Sequence, residues 1–455
     1  MDALRESHIQ QKKMRRLLLF PTPLQGHINP MIQLAHILYS KGFSITILHN
    51  NFNSPDPSKY PFFTFHLIPE GLSEKESSSM DATSLIALLN EKLAETLQDH
   101  LSMLLSENTD DPVAALIADA SWNFTQGVAD AAKLPRFVLR TSNACSFLVY
   151  NSFPLLLEKG YMPVKESRLE ELVPELPPLK VKDLPEIKMK KPEDFFYLVA
   201  GMIRTVNASS GLIWNSSEDL EQDALIKCRQ VFNVPIFNIG PFHNYFPPSS
   251  SPAESQDSIS WLDTQAPNSV IYVSFGTMAV LTQTEFLEIA YGLANSQQPF
   301  LWVVRPGSVQ GSEWLELLPD EFLEKVRGRG EIVKWAPQQA VLAHPAVGGF
   351  WTHCGWNSTF ESICEGVPMI CHPSFGDQKV NARYVSDVWR VGIHLEDKRD
   401  RAAIEKAIRT LMVEDEGVEI RRKSLAWKEK IDGSLKQGGS SYQCLDSLIS
   451  SILSC

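Results

Sequence analysis

This sequence has no apolar run long enough to cross a bilayer, no closely spaced pair of cysteines, no Asp-x-Asp triplet and no excess of positive charge. A spanning helix needs about 20 consecutive apolar residues. The run LLLF that follows the polar opening MDALRESHIQQKKMRR stops at Pro21, too short even for a secretory leader. Membrane insertion is therefore not expected, and a cytoplasmic location is. The seven cysteines, at positions 145, 228, 354, 364, 371, 444 and 455, are odd in number and scattered, which suits reduced thiols and not a disulfide framework. No CxxC is present and His353-Cys354 has no further ligands at metal spacing, so neither a metal site nor a resident cofactor is expected. Acidic residues outnumber basic ones 54 to 42, and the net charge of −12 argues against nucleic acid or an anionic membrane as partner. Any anionic ligand must then be held by local dipoles. No heptad run requires obligate assembly, so a monomer is expected.

What is present is an ordinary soluble composition, 44% apolar and 21% charged, over 455 residues, enough for two or three domains. RLLLF (Arg16 to Phe20) reads as a strand, PTPLQGHI as a loop, and Asn29-Pro30 as a helix start with proline in the first turn. MIQLAHILYSKG has helical spacing and FSITILH is a second strand, giving a β–loop–α–β opening of Rossmann type. VAALIA ends at Asp119, and LPRFVLRTS leads to Thr141 and Ser142. Pro241 to Ser258 is rich in Pro and Ser and reads as a linker. Beyond it the pattern restarts with VIYVSFGT, an amphipathic QTEFLEIAYGLANS and the strand PFLWVV. The expected divisions are residues 1–240, a linker 241–258, a second domain 259–435 and a final helix 436–455. Two Rossmann-like halves imply a cleft between them.

The most informative stretch runs from Trp335 to Gln378: WAPQQAVLAHPAVGGFWTHCGWNSTFESICEGVPMICHPSFGDQ. VGGFWTH reads as a buried strand, Cys354-Gly355-Trp356 as a turn, and Asn357-Ser358-Thr359 as a helix start. Glu361 falls three residues after Ser358, the spacing of a capping box, and Gly366 is a good stop. A strand–turn–helix of this kind aims free backbone N–H groups at one point, where an anion belongs. His353 and the side chains of Asn357 and Ser358 are placed to add hydrogen bonds to the same anion. From the residues alone, an ordinary capped helix with Glu361 as capping acid fits equally well. A second constellation is His27, in the loop after the first strand, with Asp119 at the end of a later strand. Both positions face the C-terminal edge of a doubly wound sheet, and a His backed by a carboxylate can take a proton from a hydroxyl. Each also has a plain alternative, a satisfied loop histidine and a turn-capping aspartate.

The long segment resembles, in length and at nearly every motif position, the nucleotide-sugar box of the plant secondary-product UDP-glycosyltransferases. QGHINP, IADASW, NASSGLIWNS (Asn207 to Ser216) and YVSFGT extend the resemblance from about Arg16 to the C-terminus. It implies an α/β GT-B fold: two Rossmann-like doubly wound domains facing across a cleft, the N-terminal one binding the acceptor, the C-terminal one the UDP-sugar, and the last helix returning to the N-terminal domain. It implies Trp335 stacking on uracil, Ala336 (backbone) and Gln338 on the uracil edge, and Glu361 on the ribose. His353, Asn357, Ser358 and Thr277 would serve the diphosphate, and Asp377, Gln378 and Trp356 the sugar end. A terminal Gln in this family usually accompanies glucose, so Gln378 favours UDP-glucose as donor substrate. His27 becomes the general base and Asp119 the group that orients it, in a single inverting displacement. Without an Asp-x-Asp triplet to hold a metal against the diphosphate, metal-independent transfer is expected.

The acceptor is less legible. Leu24, Trp122, Phe124, Thr141, Asn143 and the segment from Phe195 to Met202 are candidates for a largely apolar pocket, although core packing is the ordinary role of any single aromatic among them. PLQGHINPMIQLA, FNSP, NASSG and PSFGDQ resemble most the subgroup that glucosylates cytokinins, small hydroxy acids and diterpenoid glycosides. Some N-glucosylating members of it lack the loop histidine, so His27 favours transfer to a hydroxyl or carboxyl over a nitrogen. Two rival readings share the cleft, a UDP-sugar epimerase and a non-catalytic UDP-sugar-binding protein. The box with Gln378 argues against the first, and the presence of both His27 and Asp119 against the second.

Overall fold

The fold is given by a computed structural model that describes residues 15–72, 80–107, 110–186, 192–246, 256–396 and 399–455. Short, apolar, β-branched runs bounded by turn residues form two wholly parallel sheets. In the first, β1 (Arg16–Phe20), β2 (Ser44–His49), β3 (Thr64–Leu67), β4 (Val113–Asp119), β5 (Arg136–Arg140), β6 (Gly211–Trp214) and β7 (Ile236–Asn238) lie in the order β3-β2-β1-β4-β5-β6-β7. In the second, β8 (Val270–Ser274), β9 (Phe300–Val303), β10 (Gly330–Val333), β11 (Val347–Thr352), β12 (Met369–Cys371) and β13 (Gly392–His394) lie in the order β10-β9-β8-β11-β12-β13. Parallel strands need helical crossovers on both faces, so they are buried on both sides and lose the polar alternation of an exposed sheet. β11, VGGFWT, is buried at every position.

In both sheets the strand order reverses beside the first strand, between β1 and β4 and again between β8 and β11. That reversal opens a crevice at the carboxyl ends of the strands, the place where open α/β sheets bind ligands. Among the helices that flank the sheets are α1 (Gln25–Ser40), α2 (Ala144–Asn151), α3 (Pro192–Asn207), α4 (Trp356–Glu365), α5 (Gln378–Arg383) and α6 (Ser440–Ser454). α6 sends Leu445, Leu448 and Ile452 into the cluster built by Leu17, Ile117 and Phe137 of the first sheet, so the last helix returns to the N-terminal half.

Two local expectations are corrected. The helix after β1 begins at Gln25, with Leu24 at its N-cap, and not at Asn29, so His27 sits in its first turn and Pro30 lies inside it. Proline has no N–H to give the carbonyl four residues back; the freed Gly26 oxygen accepts instead from Asn357 Nδ2 at 2.8 Å, across the cleft. The capping box at α4 does not form. Gly355 is the N-cap, and the Glu361 carboxylate instead accepts from Gln338 Nε2 at 2.7 Å and Gln339 Nε2 at 2.9 Å. The Pro/Ser stretch opens with a short 3-10 turn over Phe242–Tyr245 and runs into a helix at Gln256–Asp263; its middle lies outside the described residues.

The two halves are joined by side chains that reach across. Trp356 Nε1 donates to the Asn215 carbonyl at 2.8 Å and Trp389 Nε1 to that of Leu220 at 3.0 Å. Arg383 grips Asp183 with both Nε (2.9 Å) and Nη2 (3.1 Å), in a pair almost fully withdrawn from water. Asn143 Nδ2 donates to Asn381 Oδ1 at 2.8 Å.

Candidate active site

β4 ends on Asp119 and β1 leads directly into the turn of α1 that carries His27. The switch point therefore sets the two side by side, with His27 Nδ1 2.7 Å from Asp119 Oδ2. Asp119 is 1% exposed and His27 21%. Burial pushes the Asp119 carboxyl up, but the His27 ring, the Ser121 N–H at 2.9 Å and the charge of Arg140 together hold it below the ordinary carboxylate range. An ionised carboxylate only accepts, so Nδ1 carries the hydrogen and Nε2 is left to take a proton. Thr141, one residue past β5, brings its Oγ1 to 3.1 Å from the same Nδ1.

Across the cleft, β11 delivers His353 and α4 begins at Trp356. The turn between them is tight. Cys354 takes a positive φ of 64°, rare for a residue with a side chain, and its carbonyl accepts from Asn381 Nδ2 at 2.9 Å. Gly276 and Gly355 flank the His353 ring so closely that a Cβ on either would sit 2.6 Å or 2.5 Å from it. Burial drives the His353 imidazole down to about 4, so at neutral pH it is an uncharged hydrogen-bonding group. Asn357 Oδ1 is buried without a partner. Asn357, Ser358 and the N-terminal N–H groups of α4 share this end with His353, and Thr277 is exposed in the Gly276 turn after β8. Such an arrangement of neutral groups and backbone dipoles can hold an anion.

The remaining box residues divide into two groups. Trp335 is 54% exposed, with its ring free to be covered. Ala336 is buried, and Gln338 ties Ser358 Oγ (2.9 Å) to Glu361. Burial raises the Glu361 carboxyl, with Gln338 and Gln339 pulling the other way. Gln378 Oε1 accepts from the Ser374 and Phe375 N–H groups at 2.8 and 3.1 Å, which leaves its Nε2 for a ligand. Burial raises Asp377 as well, with Arg140 and Asn381 opposing. Trp356 lies under the start of α4 with little surface exposed. It is 3% exposed, stacks on Phe360 at 5.1 Å, and spends its indole N–H on Asn215.

Of the acceptor candidates, Thr141 touches the His27 ring and Leu24 is the N-cap of its helix, while Phe124 packs edge-on against Phe20 and Trp122. Trp122 is fully buried against Phe20 and donates to the Pro21 carbonyl at 3.1 Å. Asn143 is buried as the cap of α2 and as the link to Asn381. Two participants escaped the sequence reading. Asn381 ties the Cys354 turn to Asn143, and its only trace is a polar residue in a helix of mixed character. Arg140 ends a buried strand beside Thr141, and a cation in that position was the available signal.

Comparison with known proteins places this geometry. A family profile described as UDP-glucoronosyl and UDP-glucosyl transferase matches residues 249–419. UDP-glycosyltransferase 76B1 of Arabidopsis thaliana is 52% identical over 96% of this chain and 98% of its own length. The chain belongs to the plant family-1 UDP-glycosyltransferases. UDP-glycosyltransferase 76G1 of Stevia rebaudiana is 48% identical over 97% of this chain and 98% of its own. Among solved structures, Phytolacca americana UGT2 in complex with UDP-2fluoro-glucose and pterostilbene is 26% identical, covers 96% of this chain and 99% of that one, and superposes with a TM-score of 0.81. The protein is thus a glycosyltransferase of GT-B fold, the reading to which epimerase and non-catalytic binding protein were the rivals. Among the described residues no helix is long and apolar enough to cross a membrane.

Proposed function

We propose that this glycosyltransferase moves glucose from UDP-glucose to a hydroxyl or carboxyl group of a small, largely apolar plant metabolite, without a metal and with inversion at the anomeric carbon. The observation that carries the proposal is the 2.7 Å contact between His27 Nδ1 and the buried Asp119, set opposite the α4 anion cradle. His27 Nε2 takes the acceptor's proton, and Asp119 holds the ring in one tautomer and stabilises the imidazolium that forms. The acceptor oxygen attacks the anomeric carbon as the bond to UDP breaks on the opposite face, turning an α-linked donor into a β-glucoside.

The N-terminal half is the acceptor side and the C-terminal half the donor side. Trp335 offers its exposed face to uracil, with the Ala336 backbone and Gln338 on the base edge and Glu361 on the ribose. Charge that grows on the diphosphate meets the α4 N–H groups, Asn357, Ser358, Thr277 and a neutral His353, all fixed before the reaction starts. Asp377 and Gln378 hold the sugar hydroxyls, Gln378 being the residue that favours glucose. Trp356 supports this end from beneath. That Phytolacca americana UGT2 is complexed with a fluoro-glucose donor and pterostilbene is consistent with both assignments.

The test is UDP release from UDP-glucose in the presence of EDTA, across hydroxy acids, phenolics, cytokinins and terpenoid glycosides. Release that depends on acceptor, with a product one hexose heavier, is expected. Release only with a purine nitrogen acceptor, or only with an added divalent ion, would overturn the corresponding part of the proposal.

A further inference from the structure

Asn143 and Asn381 are both fully buried, and they belong to different halves of the molecule. Asn143 caps α2 in the first half, two residues after Thr141, whose Oγ1 lies 3.1 Å from His27 Nδ1. Asn381 sits in α5, four residues after Asp377, the N-cap of that helix. Asn143 Nδ2 donates to Asn381 Oδ1 at 2.8 Å. Asn381 Nδ2 in turn donates to the Cys354 carbonyl at 2.9 Å and lies 3.3 Å from Asp377 Oδ2. Cys354 is the positive-φ residue between His353 and Gly355, the N-cap of α4.

Both amides have a fixed sense. A side-chain amide accepts at its oxygen and donates at its nitrogen. The Cys354 carbonyl only accepts, so Asn381 turns Nδ2 to it and Oδ1 to Asn143. The Ser146 N–H, 2.9 Å from Asn143 Oδ1, only donates, so Asn143 turns Oδ1 to it and Nδ2 to Asn381. A backbone group at each end thus sets the orientation of the pair, and a reversed or shortened side chain at either position breaks the series of bonds. Lys379 and Arg383 of the same helix pair with Glu186 and Asp183, so α5 lies against the first half. Those ion pairs join the halves. The amide pair also reaches, at one end, the segment that touches the base and, at the other, the turn that carries His353.

We propose that Asn143 and Asn381 are positioning residues for the transfer: their pair sets where the sugar, held by the second half, stands relative to His27 in the first. This rests on the transferase reading above and adds to it how the two sites are kept in register. Both side chains are withdrawn from the surface, so Asn143 acts through the Thr141 segment and Asn381 through the Cys354 turn and Asp377. Attack on the anomeric carbon needs the acceptor oxygen close to the productive geometry, and a misplacement of about 1 Å can cost on the order of 10²-fold in rate. UDP is held by the second half, so the link matters more to turnover than to UDP affinity.

The experiment measures kcat at saturating UDP-glucose, with an acceptor from the panel above that the native enzyme turns over, and the Kd of UDP by calorimetry. It compares the native enzyme, Asn143→Ser, Asn381→Ser and the double variant. Serine at 143 keeps a capping hydroxyl for α2 but is too short to reach Asn381. Asn143→Ser is expected to lower kcat by on the order of 10-fold while the UDP Kd stays within about 2-fold. Asn381→Ser should lower kcat at least as much and also weaken UDP binding by about 2–10-fold, since the Cys354 turn loses its bond. In the double variant kcat should match that of Asn381→Ser, because the link is already broken. The two single variants break the link from opposite halves, so either carries the kcat comparison if the other does not fold. A kcat for Asn143→Ser within about 2-fold of native, equal losses of kcat and UDP affinity in that variant, or losses that multiply in the double variant would overturn the inference and leave the pair as a plain interface contact. No UDP release by the native enzyme with any acceptor would instead remove the transferase reading beneath it.

Discussion

The two switch points of this enzyme each present a histidine at a strand–helix junction, and the two histidines live in opposite environments. His27 is partly exposed and has a buried carboxylate 2.7 Å from Nδ1. His353 has no such carboxylate; two glycines press on its ring, and burial holds it near 4. The proposed mechanism gives the same residue, at the same place in the same fold, two different tasks. A histidine whose Nδ1 is held by a carboxylate has its tautomer and orientation set, which leaves Nε2 free to be offered a proton. One that is buried and unpaired loses on protonation, so it can hydrogen-bond a growing negative charge without moving a proton. Fold fixes the location, and the neighbours fix the chemistry.

Removing His27 should give the largest effect. His27→Ala is expected to lower kcat by about 10²–10⁴-fold on a hydroxyl acceptor, the usual worth of a general base. UDP affinity should stay within a few-fold, measured by calorimetry. A small loss of kcat on a hydroxyl acceptor would count against the assignment. Next comes Asp119→Asn, which keeps the ring but removes the charge behind it. A loss of about 10²-fold in kcat is expected, again with UDP binding little changed. An unchanged kcat would mean that Thr141 alone is enough to orient the ring.

The donor-side histidine should fail differently. His353→Ala removes a hydrogen bond to a charged group and is expected to weaken UDP binding by about 10-fold or more. Gly276→Ala attacks the same ring from outside, since the new Cβ would meet it at 2.6 Å from a backbone with φ of 73°. It should reproduce the weakened UDP binding and lower stability by about 1–2 kcal/mol. If Gly276→Ala binds UDP normally, the glycine serves the turn and not the histidine.

The same comparison explains what could be read in advance. The elements around His353 were legible because they lie on one contiguous run: strand, turn, helix and next strand each announce themselves by apolar runs and glycine. The strands around His27 and Asp119 were also plain, since buried parallel strands read as unbroken apolar segments. The start of α1 was misjudged because proline at position 30 looks like a first-turn residue, and only Asn357, far away in sequence, repairs the bond that Pro30 breaks. Glu361 was misread as a cap because its partners, Gln338 and Gln339, belong to another helix. Trp356 and Trp122 face the core because each indole N–H finds a backbone carbonyl there, which spacing along a chain does not reveal. Arg140 and Asn381 depend on contacts between strand ends and between halves, and such contacts have no local signature.

The smallest expected effect concerns stability and acid. A histidine whose native pKa is lowered below its unfolded value keeps its neutral form in the fold while the unfolded chain takes up a proton. Between about 6.5 and 4 the unfolded state therefore binds more protons, and stability falls as pH falls through that window. His353, held near 4, should contribute one such proton. His243 and His394, also driven by burial to about 4, and His372, to about 3, add to the same slope. Asp119 works in the same sense but in a lower window, because its depressed pKa lies below the ordinary carboxylate value and is felt only as pH falls past that value. The two ends of the cleft can thus be separated by pH. The urea midpoint of His353→Gln, compared with the native enzyme at pH 7 and pH 5, should show a shallower loss by a part of the total, since three buried histidines remain. An identical loss in both proteins would mean that His353 is charged or solvated in the fold, and the contrast with His27 would rest on Asp119 alone.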